Sequence, residues 1–256
     1  MFISNRDSYF VNKSLQCICY SLFSAMLFLL VVIMPGCSSM QAGGKNVEGT
    51  HLFQLGQYNQ AIQRFQEAIA ANPTDADGYY NLASTYHRLG KANNNETQLK
   101  QAENLYHQCL EIQNNHTDCY RALAVLFVDK GKPELAFRVL EDWSVRSPNL
   151  ANPKIELARL YEEFGDVGTA KTHLEEAIVA DTSNARAWSA LASLREKSGQ
   201  YSQALANYQR SYELNNLQPG VAQRIASLNA GLRTTTGAVN SGSTRMVTQP
   251  PVGANR

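Results

Sequence analysis

An internal period of 34 residues constrains this chain more than any other feature. The same three positions recur in successive segments: Leu191, Ala192 and Gly199; Leu157, Ala158 and Gly165; Leu123, Ala124 and Gly131. Apolar residues occur at helical spacing on both sides of each glycine, which predicts two helices joined by a turn. One such hairpin has too little surface to bury both of its apolar faces. The period therefore predicts a stack of helical hairpins.

The repeated pattern resembles the tetratricopeptide repeat family. In that family a small residue lies beside a Leu in the first helix, and an Ala-x3-aromatic-x2-Ala pattern marks the second. The best single match is Leu55–Pro73, which contains Ala61, Phe65 and Ala68. The resemblance implies an all-α fold, a right-handed superhelical solenoid of about five helix-turn-helix repeats. The repeats cover residues 42–218, as segments 42–75, 76–116, 117–150, 151–184 and 185–218.

The first 36 residues have the features of a secretory signal peptide. Arg6 and Lys13 precede an apolar run that ends at Pro35, and small residues follow. The Gly-Cys pair at Cys37 resembles the lipobox of bacterial lipoproteins, where the Cys carries lipid after cleavage. This resemblance implies lipidation of Cys37, a tether over 37–45 and a location on the outer membrane facing the periplasm. The alternative is a single-pass N-terminal membrane anchor, because the run is about long enough to cross a bilayer.

Two other segments depart from the regular repeat. Residues 219–234 are predicted to form a capping helix on the last repeat, and residues 235–256 to be a disordered tail. In the second repeat, Gly90 is interpreted as the end of the first helix. Seven additional residues near Ala92–Gln98 are interpreted as an enlarged polar turn. That turn is either a partner-contacting loop or a tolerated surface insertion, and the insertion is favoured because lengthening a loop costs little.

Charge and motifs exclude several classes of function. Without the first 36 residues, the chain has 21 basic and 21 acidic residues, a balance that gives no field to attract nucleic acid. The five His form no H-E-x-x-H or other ligand-spaced cluster, and the sequence has no phosphate loop or G-x-S-x-G elbow. We therefore predict a non-enzymatic protein with no metal, cofactor or small-molecule substrate.

Cys109 and Cys119 lie on either side of the predicted turn between the second and third repeats. In an oxidising compartment the two side chains could form a disulfide. The alternative is that Cys109 packs as an inert small apolar residue. Both interpretations stay open, because the Cα separation that a disulfide requires cannot be read from sequence.

The family resemblance implies a concave groove lined mainly by the first helix of each repeat. The candidate peptide-groove residues lie off the packing stripe: Tyr80, Ser84, His87, Arg88, Arg121, Val125, Asp129, Arg159, Glu162, Ser189 and Lys197. The same reasoning assigns Val128, Ile155, Glu163, Ser193 and Glu196 to this face. Arg121 and Arg159 occupy neighbouring repeats and are predicted to grip a carboxylate or backbone carbonyls. A solvated polar face is the alternative for each residue.

Binding of a protein or peptide partner is the function that the resemblance implies. The first hypothesis is a membrane-anchored scaffold that assists assembly of an envelope complex, such as type IV pilus or secretion machinery. The alternative is a regulator or recruiter of cell-wall or protein-turnover enzymes that uses the same groove. Some family members bind chaperone C-termini through paired Lys and Asn residues, but the matching places here hold Tyr80 and Ser84, among others.

Overall fold

A computed structural model describes residues 36–240, with side chains from 41 to 233. Eleven helices and no strand occur among these residues, which confirms the all-α helical repeat fold. The helices are Gly36–Gln54 (α1), Tyr58–Ala71 (α2), Ala76–Ala92 (α3), Glu96–Ile112 (α4), Thr117–Asp129 (α5), Pro133–Arg146 (α6), Ala151–Glu163 (α7), Val167–Ala180 (α8), Ala185–Lys197 (α9), Tyr201–Leu214 (α10) and Pro219–Asn240 (α11).

The predicted N-terminal signal or anchor lies outside the described residues, as do residues 241–256. Within residues 36–240, no helix is both long and apolar enough to cross a membrane. The side chain of Cys37 also lies outside the described set, so its lipidation stays a prediction.

The chain divides into two compact units, Met1–Asp129 and Lys130–Arg256. In the described part of the first unit, α1 packs with α2, α3 with α4, and α4 with α5. Helix α3 also contacts α1 and α5, so the first helices of successive repeats lie side by side. In the second unit α7 packs with α8, α9 with α10, and α11 against α10. The third repeat contributes α5 to the first unit and α6 to the second.

The repeated apolar stripe forms the core of each unit. Ala61, Phe65 and Leu82 are buried together in the first unit. In the second unit the buried cluster includes Leu174 and Leu191. Such burial removes apolar surface from water and drives the stacking that a single hairpin cannot provide.

The prediction of an enlarged turn in the second repeat is wrong. Helices α3 and α4 each have 17 residues. The first helices α5, α7 and α9 have 13 residues, and the second helices α6, α8 and α10 have 14. The additional residues therefore lengthen both helices, and the connection over 93–95 is as short as those in the other repeats.

The interpretation of Gly90 as a turn residue is also wrong, because Gly90 lies inside α3. The left-handed residue of this turn is Asn94, with φ 50°, whereas Gly131 takes that role in the next repeat. Asn is one of the few non-glycine residues that adopt this conformation readily. A Cβ on Gly90 would lie 2.9 Å from Leu99 Cγ and 3.0 Å from the Leu99 backbone N. Gly90 therefore permits the close approach of α3 and α4.

Both ends of the repeat array extend further than predicted. Helix α1 begins at Gly36, so the predicted tether over 37–45 is helical. Ala42 is 1% exposed, and Lys45 forms an ion pair with Glu67 of α2, which together hold this part of the helix in place. Helix α11 continues past the predicted end at residue 234 to Asn240, since adding a residue to an existing helix costs less than starting one.

Candidate functional site

An open pocket of about 340 Å³ lies on the side of the first unit where α3 and α5 adjoin. Seven of the predicted groove residues line it: Tyr80, Ser84, His87, Arg88, Arg121, Val125 and Asp129. Five residues outside that prediction complete the lining: Phe53, Lys91, Tyr106, Asp118 and Ala122. The structure therefore brings the candidate residues of the second and third repeats together in one concave site.

Aromatic rings form the apolar part of this pocket. Tyr106 is 1% exposed, and its Oη lies 3.2 Å from Ser84 Oγ. Burial raises the pKa of the Tyr106 phenol well above its ordinary value, so the hydroxyl stays neutral. The ring of Tyr80 stacks on His116 with centroids 5.6 Å apart and lies 6.3 Å from the ring of Tyr106. These fixed rings provide a rigid apolar surface on which a ligand side chain can pack.

A hydrogen-bonded charge cluster forms the polar edge of the pocket. His87 Nε2 lies 3.0 Å from Asp129 Oδ2, and Lys91 Nζ lies 2.6 Å from Asp129 Oδ1. Burial lowers the pKa of His87, and the hydrogen bond and charge of Asp129 offset this only in part. His87 is therefore neutral at pH 7, and the Lys91–Asp129 pair carries no net charge.

Arg88 gives the pocket an unbalanced positive charge. The nearby Arg121 is paired, with its Nη1 2.7 Å from Asp118 Oδ1. Arg88 is exposed and has no ion-pair partner among the residues that the structure describes. An unpaired guanidinium beside aromatic rings favours a ligand with an acidic group, since opposite charges steer association and select partners.

Val128 of α5 is not among the residues that line this pocket. The other predicted groove residues belong to the second unit, and several of them are paired there. Lys197 Nζ lies 2.6 Å from Glu162 Oε1. Ser189 Oγ donates a hydrogen bond to the Arg186 carbonyl at 3.0 Å. These residues thus have polar partners within their own unit. Because Arg121 and Arg159 belong to different units, the shared grip that we predicted for them stays a prediction.

A buried carboxylate occupies the neighbourhood of Arg159. Glu156 is 0% exposed, and it forms ion pairs with Arg186 of α9 and, at 3.3 Å, with Arg159 Nε. Arg159 Nη1 also lies 3.3 Å from Glu163 Oε2. The assignment of Ile155 to the groove is wrong, because Ile155 is 3% exposed in the apolar core. Ile155 points inward, where it is buried in one apolar cluster with Leu174 of α8 and Leu191 of α9.

The structure joins Cys109 and Cys119 in a disulfide, with Cα atoms 6.8 Å apart. Both residues are 0% exposed, and His116 lies beside them with 7% exposure. Our search of the sequence for established ligand spacings missed this cluster. The sequence pattern that could have indicated this cluster is C-x6-H-x2-C, which spans the turn between α4 and α5.

Comparison with known proteins agrees with this architecture. A family profile described as TPR repeat matches residues 49–90, and two described as Tetratricopeptide repeat match residues 83–116 and 155–219. The crystal structure of TTC0263, a thermophilic TPR protein of Thermus thermophilus, superposes with a TM-score of 0.54 at 24% identity. That match covers 74% of this chain and 99% of the other.

Two curated relatives are much longer than the matched region. BBSome complex member BBS4 of Bos taurus is 28% identical over 157 residues, which cover 61% of this chain and 29% of the relative. Protein O-mannosyl-transferase TMTC1 of Homo sapiens is 26% identical over 173 residues, which cover 65% of this chain and 18% of the relative. The chain thus spans less than a third of the length of these relatives.

The repeated hairpins and the matching profiles define a helical repeat protein of the type that mediates protein–protein interaction. The chain belongs to the tetratricopeptide repeat family. Repeats of this family generally bind protein or peptide partners.

Proposed function

We propose that this protein is a non-enzymatic, membrane-anchored scaffold that binds a protein or peptide partner in the pocket between α3 and α5. The observation that carries the proposal is the pocket itself, with its aromatic surface and the unpaired Arg88 at its edge. The partner presents an extended segment with an acidic group, because that chemistry complements the pocket. By this proposal the partner belongs to an envelope assembly such as type IV pilus or secretion machinery.

Two features support a location outside the cytoplasm. The N-terminal sequence combines basic residues, an apolar run and a Gly-Cys pair at Cys37. The disulfide between Cys109 and Cys119 is of a kind that persists mainly in oxidising compartments. We propose that Cys37 carries the lipid anchor and that the repeats face the periplasm from the outer membrane.

The intact mass of the membrane-extracted protein tests the anchor. A mass that matches cleavage before Cys37 plus acyl chains is expected. An uncleaved mass that begins at Met1 would contradict lipidation and favour a transmembrane anchor, while the binding proposal would remain.

Site-specific photo-crosslinking in cells tests the binding pocket. A photoreactive residue replaces Val125 in the pocket or, as the control, Val145, which is 80% exposed and outside the pocket. We expect partner crosslinks from position 125 alone, and mass spectrometry of them should identify secretin or pilus subunits. Hydrolases or synthases in those crosslinks would favour the recruiter hypothesis. Equal crosslinking from both positions would contradict the pocket as the binding site.

Arg88 and Arg138 provide a matched pair of substitutions. Both side chains are exposed and neither has an ion-pair partner among the described residues, but only Arg88 lines the pocket. We expect Arg88→Ala to reduce capture of the crosslinked partner about tenfold, since charge-assisted hydrogen bonds of this type are worth about 1.5 kcal/mol or more. Arg138→Ala should leave capture unchanged, and an equal loss in both variants would refute the assignment of Arg88.

A further inference from the structure

A second cluster of chemically reactive side chains lies at the junction of α4 and α5 in the first unit. The donor atoms of Cys109, His116 and Cys119 all lie within 4.8 Å of one another, and all three residues are buried. The two Sγ atoms form a disulfide in this structure. Donor atoms around a tetrahedral zinc ion lie about 3.5 to 4 Å apart for bond lengths of about 2.0 to 2.3 Å. After reduction, the two Sγ atoms no longer share a bond and must separate, which moves them toward that spacing.

The surroundings of His116 orient its ring for metal binding. His116 Nε2 lies 2.9 Å from Asp77 Oδ1, and His116 Nδ1 accepts a hydrogen bond from the Cys119 backbone N–H at 3.2 Å. These contacts assign the proton to Nε2 and leave Nδ1 as the nitrogen with the lone pair, which accepts from the backbone N–H of Cys119. The Tyr80 ring stacks on the imidazole and holds its plane. A histidine ligand commonly donates its second N–H to a carboxylate in this way, which raises the basicity of the liganding nitrogen.

We propose that the reduced protein binds one soft d10 cation, Zn²⁺ or Cu⁺, through Cys109 Sγ, Cys119 Sγ and His116 Nδ1. Thiolate sulfur and imidazole nitrogen are the ligands that these ions prefer. A dithiol reductant opens the disulfide by exchange and itself becomes a disulfide. The two protein thiols then lose two protons to bind the ion. The disulfide and the metal are mutually exclusive, so the site reports the thiol redox state of its compartment.

This proposal does not depend on a partner in the neighbouring pocket. His116 Nδ1 at present caps α5 by accepting the Cys119 N–H. A bound ion would take the lone pair that makes this hydrogen bond. If His116 served only to cap α5, no metal would bind in either redox state. If His116 is a metal ligand, metal binds when the cysteines are reduced, so a binding assay distinguishes the two roles.

The test uses the full chain in detergent with Cys17, Cys19 and Cys37 replaced by Ser, which leaves two cysteines. Half of the sample is reduced with a phosphine, which becomes the phosphine oxide, and half is kept oxidised. Zn²⁺ and Cu⁺ are each titrated in competition with a chromophoric chelator. We expect one equivalent of Zn²⁺ or Cu⁺ in the reduced sample and none in the oxidised one. Comparing the Zn²⁺ and Cu⁺ titrations of the reduced sample identifies the preferred ion.

Three substitutions separate this site from adventitious binding. His116→Ala should abolish the tight equivalent, and Asp77→Asn should weaken it about 10- to 100-fold through loss of the partner that orients His116. His107→Ala is the control, because His107 is exposed and lies outside the cluster. Binding of neither ion, or binding that His116→Ala leaves unchanged, would overturn the proposal. A reduced chain that loses its helical circular dichroism and does not recover it with either ion would overturn it too.

Discussion

The close approach of α3 and α4 at Gly90 allows a quantitative test of how the first unit is packed. A Cβ at this position would lie 2.9 Å from Leu99 Cγ and 3.0 Å from the Leu99 backbone N. Comfortable contacts between carbon atoms are about 3.5 to 4.0 Å. The leucine side chain can rotate away, but the backbone nitrogen moves only if the two helices separate. Substitution by Ala must therefore strain this helix pair.

We expect Gly90→Ala to lower the free energy of unfolding by up to about 2 kcal/mol. Overpacking of a well-packed interior costs about 1 to 3 kcal/mol. Ala gains up to about 1 kcal/mol over Gly in a helix interior, which offsets part of that loss. The matched control is Gly168→Ala in α8, where the added Cβ meets only Asp166 Oδ1 at an ordinary 3.6 Å. That variant should be stabilised by about 0.5 to 1 kcal/mol.

Urea denaturation followed by circular dichroism measures both variants against the parent protein. The urea concentration at the midpoint of unfolding should be highest for Gly168→Ala, intermediate for the parent protein and lowest for Gly90→Ala. The control also replaces a helical Gly with Ala, so the difference between the two variants reports mainly the steric cost at Gly90. The reasoning is refuted if Gly90→Ala is as stable as Gly168→Ala, because the helices would then accommodate a methyl group at no cost.

Three further predictions concern the second unit and pH dependence. Leu157→Ala should lower the free energy of unfolding by about 2 to 5 kcal/mol, because Leu157 is 2% exposed; thermal melts measure this. Glu156→Ala should lower the free energy of unfolding by about 1.5 kcal/mol in urea titrations, because it removes the charge-assisted hydrogen bonds of a buried carboxylate to two arginines that remain partly exposed. Glu163→Ala at the surface should change stability by less than about 0.5 kcal/mol. The pKa of His87 is lowered in the folded protein, so the unfolded chain binds more protons below the ordinary value of 6.5. Stability should therefore fall as pH decreases below about 6.5, and His87→Asn should reduce this dependence in melts between pH 5 and 8.

The repeat period was sufficient to predict the fold class, because apolar spacing and turn chemistry act locally. Positions such as Leu191 and Ala170 are buried as expected. The second repeat shows the limit of this reasoning. A glycine in a repeat normally indicates a turn, but Gly90 is needed where two helices touch, and Asn94 takes the left-handed conformation. Sequence gives the residue type and not the distance to the next helix.

The pocket was predicted more fully than the polar networks around it. The family resemblance, which implies that residues off the packing stripe face the groove, was enough to assign Tyr80, Arg88 and Val125 to one face. It could not give the position of Phe53, which reaches the pocket from α1, because that contact depends on how two repeats pack. The ion pairs of Glu156 were missed for the same reason, since a carboxylate in an amphipathic helix usually faces solvent.

The lengthened hairpin of the second repeat implies a rule for which insertions such arrays tolerate. Four residues have been added to the first helix and three to the second, relative to the regular repeats. At about 100° per residue, four residues advance a helix by about 40° beyond a full turn, and three leave it about 60° short. Both additions are close to the roughly 3.6 residues of one helical turn, so each helix of this hairpin is longer by about one turn. Insertions and deletions of about one turn in both helices of a hairpin should therefore be tolerated better than other lengths. An insertion in only one helix would leave the two helices unequal in length and displace the turn that joins them.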